Sequence, residues 1–132
     1  LKNSVEPYPK QTKARREDVA NTGLNTWLTT GANNWVCGFF PGLLWLAYNS
    51  TGDGWWFQEA IAAAEGIRGQ QHNPPGTHDL GFKVFISFGQ GLEQTASNPT
   101  AHQALLDRGY VGVLLTAAHS LAKLFSSVVG LT

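Results

Sequence analysis

Phe39-Phe40-Pro41-Gly42-Leu43-Leu44-Trp45-Leu46-Ala47-Tyr48 is the stretch on which the fold turns. Pro41 suits a first helical turn, where its missing N–H costs nothing. The run is apolar on nearly every face, so it predicts a helix over 39–48 that is buried all round. Breakers bound it on both sides: Gly31-Ala32-Asn33-Asn34 before and Thr51-Gly52-Asp53-Gly54 after.

Working outward, 55–70 is rich in Ala and Glu and predicts a further helix. Asn73-Pro74-Pro75-Gly76 then stops any helix or central strand. A helix opening at Asp79 and reaching about Glu93 would set Phe82, Phe85, Ile86, Gly89 and Leu92 on one side. After Asn98-Pro99 a long helical region runs over 100–126, kinked or split near Asp107-Arg108-Gly109. Leu114, Ala117, Ala118, Leu121 and Leu124 form its inner stripe. Upstream, Val19, Leu24, Trp27 and Leu28 fall near helical spacing, predicting a helix over 11–30, and residues 1–10, with two prolines, read as an extended lead-in. Sustained strand alternation is scarce. The expected fold is therefore all-α, an array of antiparallel helical hairpins, with one domain over 11–132.

Composition narrows the function. The 132 residues, 42% of them hydrophobic, suffice for one core-bearing domain. Only 14% are charged, against roughly 25% in ordinary domains. The surface is thus polar through Asn, Gln, Ser, Thr and Gly, or is partly covered. Nine basic residues balance nine acidic ones, which removes the electrostatic footprint of a nucleic-acid binder. No run approaches the ~20 apolar residues of a membrane span. Leu1 opens the chain and methionine is absent, so the natural start is expected upstream, and the compartment, cytoplasmic or secreted, is left open. The lone Cys37 lies in an apolar run and reads as a buried thiol rather than a nucleophile.

The loops differ in character. Thr51–Gly54 and the segment around Asn98 are short and polar, whereas 33–38 and 72–78 carry aromatic and imidazole groups. In an alternating helical array both of the latter emerge at one end, and a site is expected there. Asp79 stands at a helix start, where backbone N–H groups and the macrodipole favour a carboxylate. It reads either as a helix cap or as a catalytic carboxylate that binds or orients, and the two are compatible. His78 beside it is a solvated loop histidine or a hydrogen-bonding partner for a ligand. Trp35, ahead of the apolar run, is a core anchor or a platform for a sugar ring; Phe39, Phe40 and Trp45 read as core, and Trp55 and Trp56 as packing between helices. His72, His102 and His119 show no metal-site spacing.

Three linked motifs carry a resemblance: Asn34-Trp35-Val36-Cys37-Gly38-Phe39-Phe40-Pro41-Gly42-Leu43-Leu44-Trp45, then Tyr48 with Thr51-Gly52-Asp53, then Thr77-His78-Asp79-Leu80-Gly81-Phe82. Over about 33–126 the chain resembles the amino-terminal part of unsaturated glucuronyl hydrolases, glycoside hydrolase family 88. The related unsaturated rhamnogalacturonyl hydrolases share the architecture. The resemblance implies a barrel of six α-helical hairpins, of which this chain would be a part, acting on unsaturated uronate-containing oligosaccharides in polysaccharide degradation. It implies hydration of the C4=C5 vinyl ether of a Δ4,5-unsaturated uronic acid at the non-reducing end, with no metal or organic cofactor. By motif, Asp79 matches an essential carboxylate, His78 its neighbour at the substrate and Trp35 the aromatic residue of the cleft. The proton-donating aspartate of that family belongs to a later segment with no counterpart here, so the chain alone is expected to be inactive. A different class of function, a helical module that associates with itself or a partner through aromatic faces, is the alternative.

Overall fold

In the computed structural model, residues 8–12, 27–126, 128 and 130 are described. The chain is mostly helical: α1 (Phe39–Thr51), α2 (Gly54–Glu65), a 3-10 turn (Arg68–His72), a π-helix (Gly81–Gly89) running directly into α3 (Gln90–Thr95), α4 (Pro99–Asp107) and α5 (Tyr110–Ala122). It is not all-α. Strands β1 (Tyr8–Thr12) and β2 (Trp27–Thr30) pair antiparallel, with an irregularity between Pro9 and Gln11. The helix expected over 11–30 is thereby corrected at both ends, and its middle lies outside the described residues. Pairing with a strand so distant in sequence is invisible to a local periodicity. In the expected lead-in, Tyr8 is a core residue, donating its hydroxyl to the Ala63 carbonyl at 3.1 Å and packing against Gly66.

α1 forms where the apolar run predicts and continues to Thr51. Gly52 closes it in the left-handed region (φ 68°), its N–H returning to the Tyr48 carbonyl. Only one side of α1 is buried, through Pro41, Gly42, Leu44, Trp45 and Tyr48; Leu43 and Leu46 face outward, against the expectation of burial all round. Trp45, with no exposed surface, is the centre of the core, edge-on to Phe57 at 5.8 Å and to Tyr110 at 6.4 Å. α2 ends at Glu65, short of the predicted Gln70, because Ile67 leaves helical geometry (φ −109°, ψ 5°) and turns fully into the core.

The long last helix is split, as the Asp107-Arg108-Gly109 step suggested: Gly109 sits at φ 74°, a conformation that breaks α4 from α5. The buried residues of α5 are Tyr110, Val113 and Ala117, with Leu114 and Leu121 packed beside them and Ala118 exposed, so the inner stripe is rotated from the predicted one. Arg68 holds this corner. It donates two N–H groups to the Glu65 carboxylate and one to the Arg108 carbonyl, while lying over the rings of Phe88 and Tyr110.

The segment 80–95 departs furthest from expectation. Its buried residues are Leu80, Lys83, Val84, Ser87, Phe88, Gly91 and Thr95, while Phe82 and Phe85 are exposed. The apolar pattern selected the outward face because the inward one contains a lysine and a serine. Ser87 is satisfied by the carbonyls of Lys83 (2.6 Å) and Val84 (3.1 Å). α1 approaches this segment so closely that a side chain at Gly38 would collide with the Phe82 and Lys83 carbonyls, and one at Gly42 with Ile86.

Candidate functional site

The loops 33–38 and 72–79 meet at the start of the π-helix. Asn73 begins the arrangement. Although not glycine, it sits in the left-handed region (φ 50°), a conformation Asn tolerates better than most residues. Its buried side-chain amide brackets Thr77, donating to the Thr77 carbonyl at 2.9 Å and accepting the Thr77 N–H at 3.0 Å. The diproline turn between them is thus pinned at its base. Thr77 in turn donates its hydroxyl to Asp79 Oδ2 at 2.8 Å and accepts the Asp79 N–H at 3.1 Å.

Asp79 is therefore oriented by a side chain and not by the helix. Among the described residues its carboxylate accepts no backbone N–H, which corrects the expectation of a capping carboxylate. Its main-chain carbonyl accepts from Phe82 N and Lys83 N and so opens the helix. The physical reason is local competition: the Thr77 hydroxyl, two residues back, satisfies the Asp79 N–H and engages the carboxylate. His78 Nε2 lies 3.4 Å from Asp79 Oδ1, with the imidazole 81% exposed and the carboxylate 27% exposed. This pair is open to a ligand on the imidazole side.

Trp35 is not a core anchor. It is half exposed and makes edge-on contacts with Phe39 at 6.0 Å and Phe82 at 5.8 Å, while Phe39 stacks on Phe82 at 6.0 Å. Phe39, read as core from sequence, belongs to this exposed cluster because α1 begins at the surface. Phe82, whose N–H bonds the Asp79 carbonyl at 3.1 Å, joins the aromatic cluster to the turn that carries the acid. Trp35, His78 and Asp79 accordingly occupy one end of the helices. Trp55 is also exposed, edge-on to Trp56 at 4.6 Å, but in the first turn of α2; of the two, Trp56 packs on the core.

Two buried groups stand behind these loops. Cys37 is fully buried, its Sγ 3.2 Å from the Ala32 carbonyl, and burial pushes its thiol up to about 11, opposed by the nearby Lys83 ammonium. That suits a structural thiol, not a nucleophile. Lys83 is 1% exposed, and its Nζ donates to the Asn33 carbonyl at 2.9 Å and to Gln70 Oε1 at 3.2 Å. Burial holds its pKa below the usual lysine range, opposed by Cys37 and Asp79. Sequence reasoning missed Asn73, Thr77 and Lys83. For Thr77 the signal was present, since a hydroxyl residue two positions before an acid often bonds it; for Lys83 only its flanking by Phe82 and Val84 hinted at burial.

Among the described residues no three His, Cys, Asp or Glu side chains are grouped as a metal site, and no helix is long and apolar enough to cross a membrane. His102 Nδ1 instead bridges Thr95 Oγ1 and the Leu92 carbonyl.

No protein-family profile matches the chain, and no solved structure does. A stretch of 67 residues, 51% of this chain, is 43% identical to a protein from Formosa agariphila named unsaturated glucuronyl hydrolase. The match spans 16% of that protein's length.

Proposed function

We propose that this chain contributes one side of the substrate site of a glycoside hydrolase acting on unsaturated uronic acids. The observation that carries the reading is the joining of the exposed Trp35–Phe39–Phe82 rings to the His78–Asp79 pair through Phe82. An aromatic face beside a fixed carboxylate fits a sugar, whose ring offers C–H groups on one face and hydroxyls at its edge. The similarity to the Formosa agariphila protein named unsaturated glucuronyl hydrolase supports an unsaturated uronate as the sugar, here taken as the Δ4,5 form.

In this proposal Trp35 stacks on the unsaturated ring. His78 hydrogen-bonds a substrate hydroxyl or carboxylate, and Asp79, held by Thr77, orients the ring or stabilises positive charge developing as the vinyl ether is protonated. The chemistry is hydration: a proton adds at C4, water adds at C5, and the hemiketal opens and expels the remaining sugar. Asp79 is assigned the charge-stabilising role, and the proton comes from an aspartate of another segment. The helices would form part of a six-hairpin α/α barrel, with residues 11–132 as its amino-terminal part. No metal or organic cofactor enters the scheme.

Asp79→Asn in the full-length protein is the test, followed as loss of the ultraviolet absorbance of an unsaturated disaccharide. The amide oxygen still accepts the Thr77 hydroxyl, so the fold is expected to survive while turnover falls by about three orders of magnitude, in the range of losses from removing one electrostatic group. Retained turnover in that variant removes Asp79 from the mechanism.

A second reading has its own observation. Leu43, Phe85, Val111 and Leu115 are exposed on α1, the π-helix and α5, and an apolar groove lined by Leu80, Val84, Phe85, Leu114 and Leu121 opens between the last two. Such faces suit association with a second copy or with further hairpins. A full-length protein that is well folded and associated but inert toward every unsaturated uronate tested would favour this non-catalytic module.

A further inference from the structure

The segment that opens at Asp79 is built inside out, with a charged side chain buried and two phenylalanines exposed. Lys83 is the buried charge, and two segments distant in sequence meet on it. From the loop leading to Trp35, the Asn33 carbonyl accepts at 2.9 Å; from the 3-10 turn, Gln70 Oε1 accepts at 3.2 Å. The Gln70 amide donates to Asn33 Oδ1 at 3.0 Å and closes a triangle. The Lys83 main-chain N–H bonds the Asp79 carbonyl, so the residue that gathers these segments also belongs to the acid's own turn. Directly behind it, Gly38 abuts the Phe82 and Lys83 carbonyls, leaving the loop no room to be held by a bulkier contact.

A buried ammonium is a costly way to fill space, and an unbranched apolar chain such as methionine would avoid its desolvation. What lysine adds is three directional donors on one atom, able to satisfy acceptors from separate segments at once. We propose that Lys83 is a positioning residue of the saccharide site: its ammonium locks the Trp35 loop and the Asp79 turn together, so that ring face and carboxylate meet the sugar at one spacing. The inference rests on the reading of this end as a saccharide site. Lys83 touches no substrate. It acts through Asn33 and Gln70, and losing it lets the aromatic face drift relative to the acid.

The test uses Lys83→Met and Gln70→Met in the full-length protein, with two readouts: kcat and KM on an unsaturated uronate disaccharide, and hydrogen exchange of the amides of 34–38. In both variants these amides are expected to exchange faster while those of α4 and α5 keep their rates. A fall in kcat of about 10- to 100-fold per folded molecule is expected, the scale of a misplacement near 1 Å, with a smaller change in KM. Gln70→Met retains the Asn33 carbonyl bond and should show the weaker effect; it also decides the matter if Lys83→Met does not fold. Unchanged exchange at 34–38, or a loss of rate matching only the loss of folded protein, overturns the proposal. Wild-type protein inert toward unsaturated uronates overturns the saccharide reading instead, and the exchange rates alone then decide whether Lys83 locks the two segments.

Discussion

At the Thr51–Gly54 and Ala96–Asn98 end of the helices, each turn is closed by its own sequence neighbours. Asp53 Oδ1 accepts the Trp55 N–H at 2.8 Å, Asn98 Oδ1 accepts the Ala101 N–H at 3.1 Å, and Gly52 supplies the left-handed residue. Among the described residues, two side-chain bonds, Asn49 to Gln94 and Asn98 to the Tyr48 hydroxyl, tie the helices beside these turns together. At the Asn33–Gly38 and Asn73–Asp79 end, local bonds within 73–79 are joined by long-range contacts: Asn33 to Gln70 and Lys83, Trp35 to Phe82, Gly38 against the π-helix backbone. One end uses the ordinary rules that stop helices. The other spends a buried charge, a left-handed Asn and nine residues of π-helix, a form seen mostly as single turns and often at functional sites. Departures of this kind cost stability and persist where geometry itself is useful.

Substitutions at the two ends should therefore fail differently. The largest effect is expected at Gly38. Gly38→Ala drives a methyl into two carbonyls that cannot yield, and a loss of about 3 kcal/mol, the upper part of the overpacking range, should appear as a lowered denaturant midpoint. Thr77→Val keeps the shape but removes the hydroxyl that holds Asp79; about 1 kcal/mol of stability is lost, and turnover in the full-length protein should fall further than the folded fraction does. Turnover that tracks the folded fraction would make Thr77 a cap like those of the far end. There, Asp53→Ala and Asn98→Ala should each lose about 1 kcal/mol, as cap removals do, with kcat and KM unchanged. A change in kcat from either would erase the distinction between the ends.

The smallest expected effect is a tilt with pH. Cys37, raised from 9.0 to about 11, and Tyr8, raised from 10.0 to about 12 by burial and then by Cys37, both have folded-state values above their unfolded ones. Their contribution is fully present below pH 9 and is lost as pH rises, first through 9 to 11 and then through 10 to 12. Lys83, with a lowered pKa, acts in the opposite sense as pH climbs toward 10.5 and blunts the slope. Thermal melts from pH 8 to 11 should show a gentle decline that becomes shallower in Cys37→Ala; an identical slope in that variant would remove the thiol as its source.

How much of this was legible follows residue by residue. α1, the split near Gly109 and the stop at Asn98-Pro99 could be read because proline, glycine and a dense apolar run act within a few residues of themselves. The placing of Trp35, His78 and Asp79 at one end followed from helix alternation alone. Trp27–Thr30 was misread as helix because its spacing fits, whereas its strand partner begins at Tyr8. Phe82 and Lys83 exchanged their expected places: local polarity puts the ring inside and the ammonium outside, and the reverse holds because Asn33 and Gln70 offer acceptors that only the folded chain assembles.

By itself the sequence determined where α1 lies and where the last helical region divides, that Cys37 is buried among apolar neighbours, and which polar residues could work beside an aromatic face. These depend on backbone preferences and hydrophobicity, which each short segment carries within it. Tertiary structure alone decided which face of 80–95 points inward and that Tyr8 reaches the core. Those outcomes depend on whether a buried donor finds an acceptor, and the acceptors for Lys83, Gln70 and Tyr8 lie 13 to 55 residues away along the chain.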